Sequence, residues 1–407
     1  MSPGIITFDS SPDKSKYRCH WTAPVAFDAF TPSTVYYACN VMWKTTNGGQ
    51  SWTQISPDLS TQDPAIIKPS GGIVQDNLGQ YSGALIFAIA SSPKQQGLIW
   101  AGTNDGKVWY TRDGGGKWND VSTAIHAAGM PKLATIAQIW PSTFDAGTAY
   151  VTADVHLLDD RKPYIFKTTD YGKTWTSVSG DLPAKGHINA VEEDYVNPHL
   201  MFVGTEFGLF VTLDGGKSYK PFSNGLPRVR VDDLLIHPRD GDLIVATHGR
   251  SVWIADDITP LQQLTQAVRD ADATLFDIRP PVAWLNDQQN NQQVGGQKVF
   301  IGENAPRGAA INYYLKSAAS GDVKISIADG SGRVIRMLDG PKTAGINRVT
   351  WNLAPQPAQG QGGGGFGGGR GGGGAVEPGT YYVTLEAGGK KYTKPLQILQ
   401  DRWLNER

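Results

Sequence analysis

The stretch KTTDYGKTW, Lys167 to Trp175, decides how this chain folds, because its spacing occurs three more times. TTNGGQSW starts at Thr45, TRDGGGKW at Thr111 and TLDGGKSY at Thr212, and TTDYGKTW starts at Thr168. The shared pattern is T-x-[DN]-x-G-x-[TSK]-[WY], anchored at Asn47, Asp113, Asp170 and Asp214. An internal repeat is the first thing to settle, since it fixes the architecture. A short Asp or Asn side chain can hold backbone amides a few residues on. The glycines at positions 49, 115, 172 and 216 allow backbone angles closed to other residues. The motif therefore reads as a staple on a hairpin turn, with a structural role for its Asp or Asn.

Two apolar runs split by a polar or glycine turn precede three of the staples: LIWAGTNDGKVWYT, AYVTADVHLLDDRKPYIFKTT and LMFVGTEFGLFVTL. A short aromatic-led segment follows, as in WTSVS or YKPF, and another apolar run comes before, as in LIFAIASSP or IAQIWPS. Each repeat thus supplies about four antiparallel strands, the unit of a β-propeller blade. A fifth unit, Leu234 to Asp257, has three strands and no staple. The segment GIITFD, Gly4 to Asp9, is expected to supply its missing edge. The fold class is all-β: a propeller with about five visible blades, incomplete, plus a small β-sandwich.

Composition agrees with a folded, aromatic-rich chain. Of 407 residues, 40% are apolar and 18% charged, with 12 Trp and 15 Tyr. The formal net charge of −1 gives no electrostatic footprint for nucleic acid or an anionic membrane as partner. No apolar run approaches the roughly 20 residues of a membrane helix. Cys19 and Cys39 are the only cysteines, too few for a disulfide scaffold, and their pairing is left open.

The propeller spans residues 1–257. Residues 258–297 form a helix and a polar linker: Thr259 as N-cap, Pro260 at the first helical position and Gln262 closing a capping box. Leu261, Leu264 and Val268 share a face that would seal the propeller. Residues 298–407 alternate again (INYYLKS, VKISIADG, NRVTWNL, GTYYVTLEA), the pattern of a β-sandwich. The glycine run at 360–374 reads as a loop, because no P-loop lysine or strand-to-helix context accompanies it.

These boxes, with WTAPVAF, VGTEFGLFVTLDGGKSY and LIVATHGRSVWIADDITPL in the same order, resemble the bacterial sortilin-like, glycosyl-hydrolase-type BNR (Asp-box) proteins. The phrases DGSGRVIRML, GINRVTWNL and EPGTYYVTLEAGGKKY resemble the Ig-like domain of flagellar hook-capping proteins. The resemblance implies an extracellular or periplasmic, secreted bacterial protein, longer than this chain, with an upstream propeller before Met1. The absence of a basic start and apolar core at the N-terminus fits that expectation. It also implies either of two functions: recognition of a protein or glycan, or glycoside hydrolysis of the two-propeller xyloglucanase type.

The staples lie between third and fourth strands, so the turns between second and third strands face the opposite rim. Those turns carry Asn40, Asn104, Asp105, Asp154, His156, Asp159, Asp160, Glu206, His248 and Arg250. Asp105 and Glu206 are the candidate acid and base, since glycoside cleavage needs two carboxyl groups at a set distance. Asp105 also sits in N-D-G, a hairpin-turn signal that gives it a purely structural reading. Asn40, Asp154, His156, His248 and Arg250 are the candidate ligand contacts; the plainer reading is a solvated loop position for His156 and an arginine–carboxylate pair locking the last blade for His248 and Arg250. No metal or cofactor is assigned: the run Asp154, His156, Asp159, Asp160 matches no dedicated coordination loop.

Overall fold

A computed structural model describes residues 12–20, 22–68, 84–284, 305–356 and 376–402. The segments 4–9, 287–297 and 360–374, expected to be an edge strand, a linker and a loop, lie outside the described residues. The chain forms two compact units, Met1–Pro238 with Leu243–Ala255, and Arg239–Asp242 with Asp256–Arg407.

The first unit is a series of small antiparallel sheets, each one blade. The first blade holds β1 (Val25–Phe27), β2 (Val35–Ala38), β3 (Met42–Thr45) and β4 (Thr53–Gln54). The second holds β5 (Ile86–Ser91), β6 (Ile99–Thr103), β7 (Val108–Thr111) and β8 (Trp118–Asp120). A short helix α1 (Ser122–Ala127) leads to the third, with β9 (Thr135–Pro141), β10 (Ala149–Val155), β11 (Asp160–Thr168) and β12 (Thr176–Ser177). The fourth holds β13 (Ile188–Glu193), β14 (Met201–Thr205), β15 (Gly208–Thr212) and β16 (Lys220–Pro221). Among the described residues the fifth has three strands: β17 (Val231–Ile236), β18 (Leu243–Thr247) and β19 (Val252–Ala255). The first strand of each blade packs on the first strand of the next, and the core lies between consecutive blades. Tyr150, Ile165, Ile188, Met201 and Val203, for example, form one cluster across blades three and four.

That face-to-face stacking explains why β6 (IWAGT) and β14 (MFVGT) are buried at every position instead of alternating. A sheet covered on both faces reads as a continuous apolar run. It also explains Gly102 in β6: a Cβ there would lie 2.3 Å from Ile136 Cγ2 in the next blade.

All four staples have one hydrogen-bond pattern. The Thr hydroxyl donates to the Asp or Asn Oδ1 at 2.9, 2.7, 2.9 and 2.7 Å in chain order. It also accepts from the glycine N–H at 3.0, 3.1, 2.9 and 3.0 Å. The same Oδ1 accepts the amide four residues on, from Ser51, Lys117, Thr174 and Ser218. Burial raises the Asp214 carboxyl, yet the bonds from Ser218, Thr212 and Lys217 outweigh it and bring the group down to about 2. Cys19 and Cys39 are disulfide-bonded, tying the approach to the first blade onto its β2–β3 turn.

Among its described residues the second unit has two short helices where one was expected. Thr259 falls inside α2 (Thr259–Gln262), which has no side-chain cap. Thr265 caps α3 (Gln266–Asp270) through the amide of Val268. Thr259 gives its hydroxyl to Asp257 Oδ1 at 2.5 Å and already stands inside the first turn, one residue past the capping position.

Two sheets follow. One orders β20 (Ala273–Leu275), β22 (Ala309–Leu315) and β25 (Gly345–Trp351). The other orders β21 (Val282–Ala283), β27 (Lys390–Gln400), β26 (Gly379–Ala387), β23 (Lys324–Ala328) and β24 (Val334–Asp339). Ile311, Tyr313, Ile325, Ile327, Trp351 and Leu385 fill the space between them. The expected start at 298 is too late, because β20 pairs with β22 and β21 with β27. Strands of two and three residues carry too little alternation to be seen in sequence.

Candidate functional site

Antiparallel pairing puts the start of each blade's first strand beside the turn between its second and third strands. One backbone bond repeats this: Asn104 N–H to Leu85 C=O at 3.0 Å, Glu206 to His187 at 3.1 Å and His248 to Arg230 at 2.9 Å. Residues just before β5, β13 and β17 therefore share a rim with the turns singled out above. His187 and Arg230 are the functional candidates this adds. Considering only the turns misses them, whereas the register Ile188↔Thr205 brings His187 next to Glu206.

Two of the expected site residues, the ligand contact Asn40 and the catalytic candidate Asp105, are closed. Asn40 is 2% exposed; its Oδ1 accepts from the Arg18 amide at 2.9 Å and its Nδ2 donates to Asp58 at 2.8 Å. Asp105, also 2% exposed, accepts from the amide and hydroxyl of Thr61 at 2.9 and 2.6 Å and from the Thr103 hydroxyl. Its oxygens are occupied in holding the turn of the second blade to residues after the first. Glu206 shares none of these partners. Asp160 accepts from the Tyr164 hydroxyl at 2.6 Å, and Asp159 turns the chain at φ 60°. Asp160 thus serves its own loop, while Asp159 is exposed.

The third and fourth blades do bring side chains together. Asp154 takes the Nδ1 of His156 at 2.7 Å and its amide at 2.9 Å. His187, entering β13, stacks on His156 with ring centres 5.0 Å apart. Its Nε2 lies 3.7 Å from Asp154 Oδ2 and its Nδ1 3.5 Å from Glu206 Oε2. Arg161 approaches the other Glu206 oxygen at 3.5 Å. His187 is buried, and burial holds its imidazole below the usual histidine value although Asp154 and Glu206 pull the other way.

An apolar groove of about 400 Å³ opens beside this cluster, lined by Leu182, Gly186, Thr205, Phe207, Phe210 and Pro227. Arg228 lies over the Phe207 ring, 5.5 Å from its centre. Along the same rim, exposed His248 meets Asp232 at 3.2 Å, and Arg230 pairs with Asp232 at 2.5 Å. Arg250 is exposed and contributes its carbonyl to the Trp253 indole. The arginine–carboxylate pair of the fifth blade is made by Arg230, not Arg250.

The sheets define a β-propeller protein carrying a second β-unit. No family model matches the chain. Over 134 residues it is 30% identical to a probable oligoxyloglucan-reducing end-specific xyloglucanase of Neosartorya fischeri. Over the same length it is 28% identical to the oligoxyloglucan-reducing end-specific xyloglucanase of Emericella nidulans. Each match covers 30% of this chain and 16% of the relative, so the chain spans a small part of their length. The solved xyloglucanase from Xanthomonas campestris aligns over 91% of this chain and 63% of its own, at 13% identity and TM-score 0.44. YCF48 bound to a D1 peptide aligns over 68% and 77%, at 17% identity and TM-score 0.38. Among the described residues no helix is long and apolar enough to cross a membrane.

Proposed function

We propose that this chain is the glycan-binding propeller of an extracellular, xyloglucanase-like protein of the Asp-box group. A sugar chain lies along the rim of blades three and four. The observation that carries this is the Phe207-lined groove standing beside Glu206, His187 and Arg228. An apolar floor with a few convergent polar groups is what a sugar needs: ring faces stack on the aromatic while hydroxyls reach charged groups. The sequence similarity to xyloglucanases favours a glycan over a protein as ligand, and the Cys19–Cys39 bridge suits an oxidising compartment.

Hydrolysis is the second reading, favoured by the same similarity. It requires two carboxyl groups that a substrate can reach. Glu206 and Asp154 flank His187 and fit that need better than Asp105, whose oxygens are tied to Thr61 and Thr103. The second propeller implied by the family resemblance would supply the opposite wall of the cleft.

Calorimetry with xyloglucan oligosaccharides, paired with a reducing-sugar assay, tests both. Saturable binding that weakens at least tenfold in Phe207→Ala or Arg228→Ala is expected. Absence of binding to any β-glucan oligosaccharide overturns the proposal. Sugar release abolished by Glu206→Gln moves the assignment to a hydrolase.

A further inference from the structure

The geometry points to a divalent transition-metal site on the third and fourth blades, formed by Asp154, His156 and His187, with Glu206 positioning His187. One donor atom from each of the three residues lies within 4.8 Å of the others. Three ligands around a metal at about 2.0–2.2 Å stand roughly 3–3.5 Å apart. The observed Asp154–His156 separation of 2.7 Å and Asp154–His187 separation of 3.7 Å bracket that range.

The burial of His187 is the independent observation. Both of its ring nitrogens are shielded from solvent and neither has a hydrogen-bond partner. A buried unpaired polar group costs about 1–3 kcal/mol, which a fold does not carry without reason. The two nitrogens face different carboxylates: Nδ1 is turned to Glu206 and Nε2 to Asp154. Metal-ligating histidines commonly donate one ring N–H to a carboxylate, which fixes the tautomer and frees the other nitrogen to coordinate. Glu206 Oε2 is itself buried with no hydrogen-bond partner, as expected of a group that tightens onto His187 only when the opposite nitrogen is engaged. Arg161 stands 3.5 Å from Oε1, the other oxygen of Glu206.

Two imidazoles and one carboxylate suit zinc, nickel or copper(II) and not calcium, which takes six to eight oxygens. His156 is partly exposed, with 39% of its side chain open to solvent. That provides an entry path and an open coordination position, the arrangement of reactive rather than purely structural zinc sites. His156 and Asp154 alone would make an ordinary ion pair. They do not account for the second, stacked histidine or its two unpaired nitrogens.

The test uses the full chain without a histidine tag, stripped with chelator and titrated with zinc sulfate, with no sugar present, so its outcome is independent of glycan binding. One zinc per chain is expected. His156→Ala and Asp154→Ala should each weaken affinity at least tenfold, and Glu206→Gln roughly tenfold through His187. Cobalt(II) should give a visible absorption band that His156→Ala removes. His156 is exposed enough for its variant to fold, which circular dichroism checks. No zinc binding by the wild type overturns the site. So does zinc affinity unchanged in His156→Ala and Asp154→Ala, which would place the ion on other surface histidines.

Discussion

Trp118 of the second blade donates its indole N–H to the carbonyl of Ile55, just past the last strand of the first blade, at 2.8 Å. Tyr219 of the fourth blade repeats this with the carbonyl of Val178 at 2.7 Å. In the second and fourth blades the aromatic that ends the staple therefore clamps the preceding blade, whereas Trp175 of the third gives its indole N–H to Gly172 in its own turn. The motif holds its own turn and joins neighbours. Gly115 completes the joint: at φ +110° it packs so close that a Cβ would stand 2.5 Å from the Ile55 oxygen.

A substitution at that joint should cost more than a turn alone explains. Gly115→Ala adds both a left-handed backbone penalty and a clash with main chain, and is expected to destabilise by about 2 kcal/mol or more. Chemical denaturation with tryptophan fluorescence measures it. A change below about 0.5 kcal/mol would mean that blades one and two separate freely at this point.

Thr212 is the hub of the fourth staple, donating to Asp214 and accepting from Gly216 while almost fully buried. Thr212→Val leaves the buried Gly216 N–H without its acceptor and removes one of several donors to Asp214, and should lower stability by about 1–3 kcal/mol. Because the folded Asp214 carboxyl stands at about 2, below its unfolded value, its contribution is present above that value. It is lost as pH falls toward about 2. Thr212→Val should narrow that acid-dependent loss, a difference visible in thermal melts across the acidic range.

Glu192 presents the opposite sign. Burial pushes its carboxyl up to about 9; Asp233 and Asp194 add to the rise, and the Ile236 amide donating to Oε1 opposes it. The fold holds a proton that the unfolded chain releases above its ordinary value of 4.5. Stability therefore declines as pH rises from there toward about 9. Glu192→Gln should leave the melting temperature near its wild-type value at about pH 5 and raise it by a few degrees at about pH 8. Parallel melting curves for the two proteins across that range would contradict the assignment.

Asp105 and Glu206 separate stability from ligand contact. Asp105→Asn should destabilise the first two blades, because Thr61 and Thr103 lose a charged acceptor. It should leave oligosaccharide affinity within about twofold once folded protein is compared. A tenfold loss of affinity would place Asp105 in the binding surface after all.

The blades were legible because the staple repeats four times with one spacing, and each side chain in it has a local task. The rim was half legible. Asp154, His156 and Glu206 stand in turns that interrupt apolar runs, so position alone marks them. His187 precedes an ordinary strand, INAVEE, and its importance arises only from register with a turn 19 residues later. Asn40 and Asp105 looked open for the same reason that they looked functional. Apart from Thr103, the partners that tie them down are Arg18, Asp58 and Thr61, which lie outside their own hairpins. Short strands such as Val282–Ala283 are specified by the sheet they join and leave no pattern of their own.

Hydrogen–deuterium exchange with and without a saturating xyloglucan oligosaccharide tests the location of the ligand most directly. Slowed exchange confined to residues 154–161, 185–187, 205–210 and 226–230 is the predicted result. Protection at the staple turns around Asn47, Asp113, Asp170 and Asp214, with the opposite rim unchanged, would contradict it.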